Sequence, residues 1–146
     1  MRKIIIYTDG GSRGNPGPSA AGFVFCNENQ QAFKKYSEYL GECTNNEAEY
    51  LAVVSALKKF KVLFGKKLAE NSEVEVKTDS ELLVRQFKGE YKVLEPKIQE
   101  LFIALWNLRT DFKKLKFTLI SRQKNQEADR LVNEALDIQS GTQKLL

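Results

Sequence analysis

The sequence predicts an α/β protein built on one mixed sheet of about five strands that is covered by helices. Two observations support this prediction. Short strand-like segments separated by turn residues fill the first third of the chain, and helical segments then alternate with two further strand-like segments. The chain has 146 residues, the length of one domain, and no repeat interrupts it. We assign residues 1–138 to this domain and residues 139–146 to a C-terminal tail.

The N-terminal third contains three predicted strands, at residues 3–9, about 20–27 and about 32–41. A glycine- and proline-rich segment, "GGSRGNPGPS", follows the first strand. It does not fit a nucleotide-binding loop, because its glycines are spaced G-x-x-G-x-x-G and its prolines disfavour the helix that would have to follow. We therefore predict an irregular loop, with Asp9 at the junction between strand and loop.

The first helix is predicted from "TNNEAEYLAVVSALKKFKVLFGKK", which has apolar residues at the helical period. Thr44 and Glu47 fit the capping box that satisfies the first free N–H groups of a helix. This pattern gives Glu47 a structural role. After Gly65 we predict a polar connection.

The remaining elements are two strands and three helices. The strand "EVEVKT" precedes a short helix at about residues 80–87, and a longer helix begins at Pro96 and includes Trp106, which we place in the core. The strand "KLKFTLI" and the basic connection "SRQKN" then lead to a helix at about residues 126–138, with Asn125 as its N-cap.

The composition excludes several classes of function. Histidine is absent, which excludes nucleophile–histidine triads and removes the commonest zinc ligand. Cys26 and Cys43 have no C-x-x-C spacing, so two free thiols are expected. The net charge of +4 suits binding to a polyanion without requiring it. No apolar run approaches the roughly 20 residues of a membrane span, so we expect a soluble, cytoplasmic protein without membrane association.

Four carboxylates lie where packing alone would not place them. Asp9 and Asp79 follow predicted strands, and Asp129 lies near the apolar edge of the last helix. Glu49 falls on the apolar stripe of the first helix, whereas Glu47 is rotated by about 200°. A charge on a buried stripe costs free energy unless it is paired or binds a metal.

Each of these acids also has a purely structural explanation. Asp9 fits a turn before glycine, and Glu49 fits the edge of the apolar stripe, where it reaches solvent. Asp79 fits a helix N-cap or a solvated strand residue, and Asp129 fits a first-turn acid near a helix dipole. Together, however, acids at two strand ends and two helix first turns are what a hard-cation site assembled from several elements requires. Oxygen ligands favour Mg²⁺ or Mn²⁺ over zinc. Such a site can hold two ions roughly 3.5–4 Å apart for an in-line phosphoryl displacement.

The same residues also resemble a known family. "YTDGGSRGNPGPSAAGF", "TNNEAEYLAVVSAL", "TDSELLV" and "NQEADRLVNEAL" are similar, in order and spacing, to the four acidic motifs of type 1 ribonuclease H. The resemblance implies the ribonuclease H fold, a five-stranded mixed sheet with an antiparallel second strand, flanked by helices. It also implies that two Mg²⁺ ions, replaceable by Mn²⁺, support endonucleolytic hydrolysis of the RNA strand of an RNA–DNA hybrid, leaving 5′-phosphate and 3′-hydroxyl ends.

The resemblance assigns roles to individual residues. Four match the family's metal ligands and catalytic acids: Asp9, Glu49, Asp79 and Asp129. Others match contacts to the RNA strand, namely Ser12, Asn15, Asn45, Asn46 and Glu81. Thr44 matches part of a pocket for a DNA phosphate, and Arg13 is a candidate phosphate contact. The glycines of "GGSRGN" are then expected to let the backbone approach a sugar-phosphate chain.

Two departures from the family distinguish this chain. Many bacterial relatives carry a basic helical protrusion after the third motif, whereas "QFKGEYKVLEPKIQ" is short and has only three lysines. Relatives often carry a histidine before the fourth acid, whereas this chain offers Arg122 or Lys124 for electrostatic assistance. We expect a monomer that binds RNA–DNA hybrids. A catalytically idle nucleic-acid-binding module, or a nuclease that also cuts double-stranded RNA, remain open alternatives.

Overall fold

The computed structural model describes residues 2–145 and contains one five-stranded sheet. The strands are β1 (Arg2–Ser12), β2 (Gly17–Cys26), β3 (Ala32–Cys43), β4 (Ser72–Thr78) and β5 (Lys114–Leu119). They lie in the order β3-β2-β1-β4-β5. β2 runs antiparallel to both β1 and β3, while β1, β4 and β5 are parallel. The predicted mixed sheet with an antiparallel second strand is confirmed.

Four α-helices flank this sheet. They are α1 (Asn45–Glu70), α2 (Glu81–Phe87), α3 (Pro96–Leu108) and α4 (Gln126–Leu145), with 3-10 turns at Arg109–Asp111 and Arg122–Asn125. The alternation of side chains along β1 decides which face each helix covers. Ile4 and Ile6 pack with residues of α1, α2 and α3, whereas Ile5 packs with Leu131 of α4. The sheet therefore has a core on each face.

Several elements extend further than predicted, and β1 and α1 do so next to the glycines. β1 continues past Asp9 to Ser12. The start of the glycine-rich segment stays paired with β2 as far as Ser12↔Ser19, so the predicted loop begins only after Ser12. α1 continues past Gly65 to Glu70 after a kink, and the positive φ of 85° at Gly65 is a conformation that glycine adopts without strain.

The C-terminal half differs from the prediction at three points. Asn125 precedes α4, but its Oδ1 has no hydrogen-bond partner within the described residues, so its side chain does not cap that helix as predicted. Trp106 is 41% exposed and does not lie in the core. One side of its indole packs on Phe87 and Phe102, while the Arg109 guanidinium stacks 3.9 Å from its ring centroid. α4, predicted to end near residue 138, continues to Leu145. The final residue of the predicted tail, Leu146, lies outside the described residues.

The two cysteines, Cys26 and Cys43, are both buried and carry free thiols, as predicted. Within residues 2–145, every helix is too short or too polar to span a bilayer.

Candidate active site

Asp9 and Glu49 are brought together by a close approach between β1 and α1. A Cβ on Gly10 would lie 2.2 Å from the backbone oxygen of Ala48, so only glycine fits at this position. Gly10 therefore serves the packing of β1 against α1 within the protein. This corrects the expectation that the whole glycine segment makes room for a sugar-phosphate chain.

The start of α1 determines which glutamate faces Asp9. The Glu47 N–H donates to Thr44 Oγ1 at 3.2 Å, and the Thr44 N–H donates to Glu47 Oε1 at 3.1 Å, which completes the predicted capping box. This pairing uses the carboxylate of Glu47 and fixes the rotation of the first turn. Glu49, two residues further on, lines the cleft at the end of β1.

The carboxylates of Asp9, Glu49 and Asp79 form a cluster whose ligand oxygens all lie within 4.8 Å of one another. Asp79 joins this cluster because β1 and β4 are parallel, so the C-terminal ends of the two strands meet at the same edge of the sheet. Asp129, in the first turn of α4, is exposed but lies close enough to Asp9 to raise the pKa of that carboxyl. The four acids predicted from the sequence thus come from β1, α1, α4 and the residue after β4, and they line one cleft of about 630 Å³.

Burial and mutual repulsion keep protons on this cluster. Burial raises the pKa of Asp9 to about 8, and repulsion from Asp79 and Asp129 adds to the effect. Burial, followed by repulsion from Asp9 and Asp79, raises the pKa of Glu49 well above its usual range. Burial also raises the pKa of Asp79, against the opposing charge of Arg122. A bound cation would displace these protons, so its affinity depends on pH.

The donor atoms fit a hard divalent cation. Glu49 Oε2 is buried and, within residues 2–145, has no hydrogen-bond partner. A buried carboxylate oxygen without a partner is costly unless it coordinates a cation. The cluster offers only oxygen ligands, which suit Mg²⁺ or Mn²⁺ better than zinc.

The loop after β1 is tied to the start of α1 by side-chain amides. The Ser12 N–H donates to Asn45 Oδ1 at 2.9 Å, and the Asn45 N–H donates to Asn15 Oδ1 at 3.0 Å. Both amide oxygens are therefore used within the protein, and a ligand in the cleft would meet the NH₂ end of Asn45.

Most of the predicted site residues face the same cleft. Besides the four acids, its lining includes Ser12, Arg13, Asn45, Asn46, Glu81 and Arg122. Three predicted residues do not line it: Asn15, Thr44 and Lys124. Asn15 supports Asn45, and Thr44 caps α1. Lys124 lines a separate groove beside Tyr7 and Lys35.

One polar group beside the cleft was not predicted from the sequence, and of its residues Asn133 lines the cleft. Asn133 and Asp137 follow Asp129 at intervals of four residues and so form a polar row along α4. Arg13 Nη2 donates to Asp137 Oδ1 at 2.7 Å and to Asn133 Oδ1 at 3.4 Å. The four-residue spacing was visible in the sequence, but the pairing with Arg13 depends on the packing of α4 against the loop after β1.

Known proteins share both the sequence pattern and the fold. The family described as "Reverse transcriptase-like" matches residues 7–135. Ribonuclease HI of Halobacterium salinarum is 34% identical over 135 residues, which cover 92% of this chain and 65% of the relative. The bifunctional protein Rv2228c of Mycobacterium tuberculosis is 35% identical over 136 residues, or 92% of this chain and 36% of the relative. The chain thus spans about a third of the length of the mycobacterial relatives it matches.

Two solved structures are similar over most of their length. LC11-RNase H1, isolated from compost by a metagenomic approach and crystallised in complex with an RNA/DNA hybrid, is 49% identical with a TM-score of 0.87. The alignment covers 92% of this chain and 96% of that one. RNase H1 from Halobacterium salinarum is 32% identical with a TM-score of 0.85, and the alignment covers 92% and 98% of the two chains.

Proposed function

Since this chain belongs to the type 1 ribonuclease H family, we propose that it is an endonuclease that hydrolyses the RNA strand of RNA–DNA hybrids. The products would carry 5′-phosphate and 3′-hydroxyl ends. The observation that carries the proposal is the cluster of Asp9, Glu49 and Asp79 in an open cleft lined by amide and hydroxyl side chains. The complex of LC11-RNase H1 with an RNA/DNA hybrid supports the class of substrate.

The metal ligands of the proposed enzyme are Asp9, Glu49, Asp79 and Asp129. Two Mg²⁺ ions, for which Mn²⁺ can substitute, supply activation of the attacking water and stabilisation of the leaving oxygen when bound. Asp9, Glu49 and Asp129 lie on β1, α1 and α4, and Asp79 directly follows β4, so regular elements support all four carboxylates. The unpartnered Oε2 of Glu49 and the raised pKa of Asp9 both support a cation at this cluster.

Side chains at the rim of the cleft would bind the hybrid. Ser12, Asn45 and Asn46 present hydroxyl and amide groups, which can hydrogen-bond to 2′-hydroxyls and so distinguish RNA from DNA. Glu81 lines the same cleft on the side of α2. Arg13 is placed to meet a phosphate once it leaves its exposed ion pair with Asp137.

Thr44 can serve both the helix and the substrate. Its Oγ1 accepts the N–H of Glu47, which occupies a lone pair and leaves the hydroxyl proton available. We propose that this O–H donates to a phosphate oxygen of the DNA strand. Asn15 would act at the same end of α1, through its hydrogen bond to the Asn45 N–H.

Arg122 is the candidate for electrostatic assistance near the acids. It lines the cleft, and its charge lowers the pKa of Asp79 and of Glu49 against the effects of burial. Lys124 lines a different groove, so we assign this role to Arg122 alone.

The segment between α2 and α3 would offer few contacts to a hybrid. Residues 88–95 contain no helix and only two lysines, Lys88 and Lys92, both exposed. Affinity for the hybrid would therefore depend on the cleft itself. That the protein acts as a cytoplasmic monomer stays a prediction.

The proposed function is tested by incubating labelled RNA–DNA hybrid, double-stranded RNA and duplex DNA with the protein, with Mg²⁺ or with EDTA. We expect Mg²⁺-dependent cleavage of the hybrid, loss of cleavage in Asp9→Asn, and little change in Glu47→Gln, the neighbouring acid used in the cap. Cleavage of double-stranded RNA as well would broaden the substrate class. Binding of hybrid without cleavage would indicate the idle module and refute the enzyme.

A further inference from the structure

The two strands that carry Asp9 and Asp79 are not paired where these acids lie. The parallel ladder between β1 and β4 ends at Tyr7↔Lys77, two residues before each acid. Beyond that point no backbone hydrogen bond between the two strands sets the separation of the carboxylates. There β1 stays paired with β2 and β4 stays paired with β5, so a direct link between the two strand ends has to come from another group.

The side chain of Asn125 occupies this gap. Its Nδ2 donates to the backbone oxygen of Thr8 at 2.8 Å, across 117 residues of sequence. Thr8 follows the last paired residue of the ladder, so the amide supplies the hydrogen bond that β4 no longer provides. The same side chain also lies against the Asp79 carboxylate. Asn125 therefore contacts both strands beside the acids that they carry.

Asn125 also connects these strands to the fourth acid. It is the last residue of the 3-10 turn Arg122–Asn125, and α4 begins at the next residue. Asp129 lies four residues further on, in the first turn of α4. One side chain thus joins three of the four elements that supply acids to the cluster.

Only one end of the Asn125 amide is satisfied. Asn125 is 1% exposed, and its Oδ1 is buried without a hydrogen-bond partner within the described residues. The unsatisfied Oδ1 costs free energy, whereas the bond from Nδ2 satisfies the buried Thr8 carbonyl. The amide thus supports the fold at the same point where it links the end of β1 to the acids of the site.

We propose that Asn125 is a positioning residue, which holds the end of β1 and the Asp79 carboxylate at the separation required for binding a divalent cation. The inference rests on the proposed metal site. Asn125 itself does not touch the cation or the substrate; it acts through the acids, as partners of metal ligands do in other metal sites.

The test is calorimetric titration of Mn²⁺ into the metal-free protein without hybrid, for the wild type and for Asn125→Ala and Asn125→Ser. We expect Asn125→Ala to bind Mn²⁺ about tenfold or more weakly, in the range found when such partners of metal ligands are removed. Asn125→Ser retains one O–H donor and should bind with intermediate affinity. In cleavage assays of Asn125→Ala, the KM for hybrid at saturating Mg²⁺ should be unchanged, while half-maximal kcat should require more Mg²⁺.

Tyr50→Phe is the matched control. It removes another buried side-chain hydrogen bond, from the Tyr50 hydroxyl to Gln86 Oε1 at 2.7 Å, outside the cleft. We expect a lower melting temperature and unchanged affinity for Mn²⁺.

Wild-type affinity for Mn²⁺ in Asn125→Ala, or an equal loss of affinity in Tyr50→Phe, would overturn the inference. So would failure of both Asn125 variants to fold, which would assign this residue to the core alone. These results are distinct from failure of the proposed function. A wild type that binds Mn²⁺ but does not cleave hybrid would refute the enzyme, and the metal titrations would still decide the role of Asn125.

Discussion

Replacing Asp9 by asparagine should remove activity and at the same time stabilise the metal-free protein. Asp9 is 7% exposed, and its pKa is raised from 3.8 to about 8. Between these two values the folded protein holds a proton that the unfolded chain releases, so the stability of the wild type falls as pH rises from about 4 to 8. Asparagine is neutral in both states and carries no such penalty.

The size of the effect follows from the linkage between protonation and folding. Each pH unit within this window corresponds to about 1.4 kcal/mol for one proton. At pH 7 the penalty from Asp9 reaches about 4 kcal/mol. The stability of Asp9→Asn relative to the wild type should therefore increase by about 3 kcal/mol between pH 5 and pH 7.

The assay is urea unfolding in EDTA at pH 5, 6 and 7, followed by circular dichroism. Glu127→Gln is the control, because the ion pair with Arg130 and the hydrogen bond from Lys35 lower the pKa of Glu127. Its contribution to stability is complete above the usual pKa of 4.5 and is lost only at lower pH, so its effect should stay constant from pH 5 to 7. Saturating Mg²⁺ should stabilise the wild type and reduce the advantage of Asp9→Asn. A difference between wild type and Asp9→Asn that does not change with pH would refute the reasoning.

Three further predictions concern other parts of the site. Glu49→Gln should abolish cleavage of hybrid, whereas Glu47→Gln should cost at most about 1 kcal/mol of stability, measured by urea unfolding, and keep activity; equal loss of activity in both would contradict the assignment. Arg13→Ala should reduce the slope of log affinity for hybrid against log salt by about one. Asp137→Asn should strengthen binding at low salt without reducing that slope. An unchanged slope in Arg13→Ala would show that Arg13 does not contact a phosphate. Gly10→Ala should lower stability by roughly 1–3 kcal/mol or more and weaken metal binding, because its Cβ forces β1 away from α1; a wild-type melting temperature would contradict this packing.

Much of the fold could be predicted from local patterns. The period-two and helical segments identified the five strands and four helices, and the capping box located the start of α1. The helical phase also separated Glu49, which faces the cleft, from Glu47, which caps the helix. The absence of histidine and the four dispersed acids limited the chemistry before any contact was known.

Other features depend on contacts between distant segments. The extension of β1 to Ser12 requires β2 as a partner, and Gly10 is required by the backbone of α1. Arg122 lines the cleft while Lys124 does not, because the basic connection between β5 and α4 forms a 3-10 turn.

The sequence by itself indicated the residues to which we assign the chemistry and the face of its own element that each occupies, because periodicity reports the direction of a side chain relative to its helix or strand. Only the tertiary structure decided which of them meet. Asn125 and Thr8 are 117 residues apart, and Arg13 and Asp137 are 124 apart. Such contacts depend on the order of the strands and on the packing of α4 across the sheet, neither of which is encoded in any local pattern.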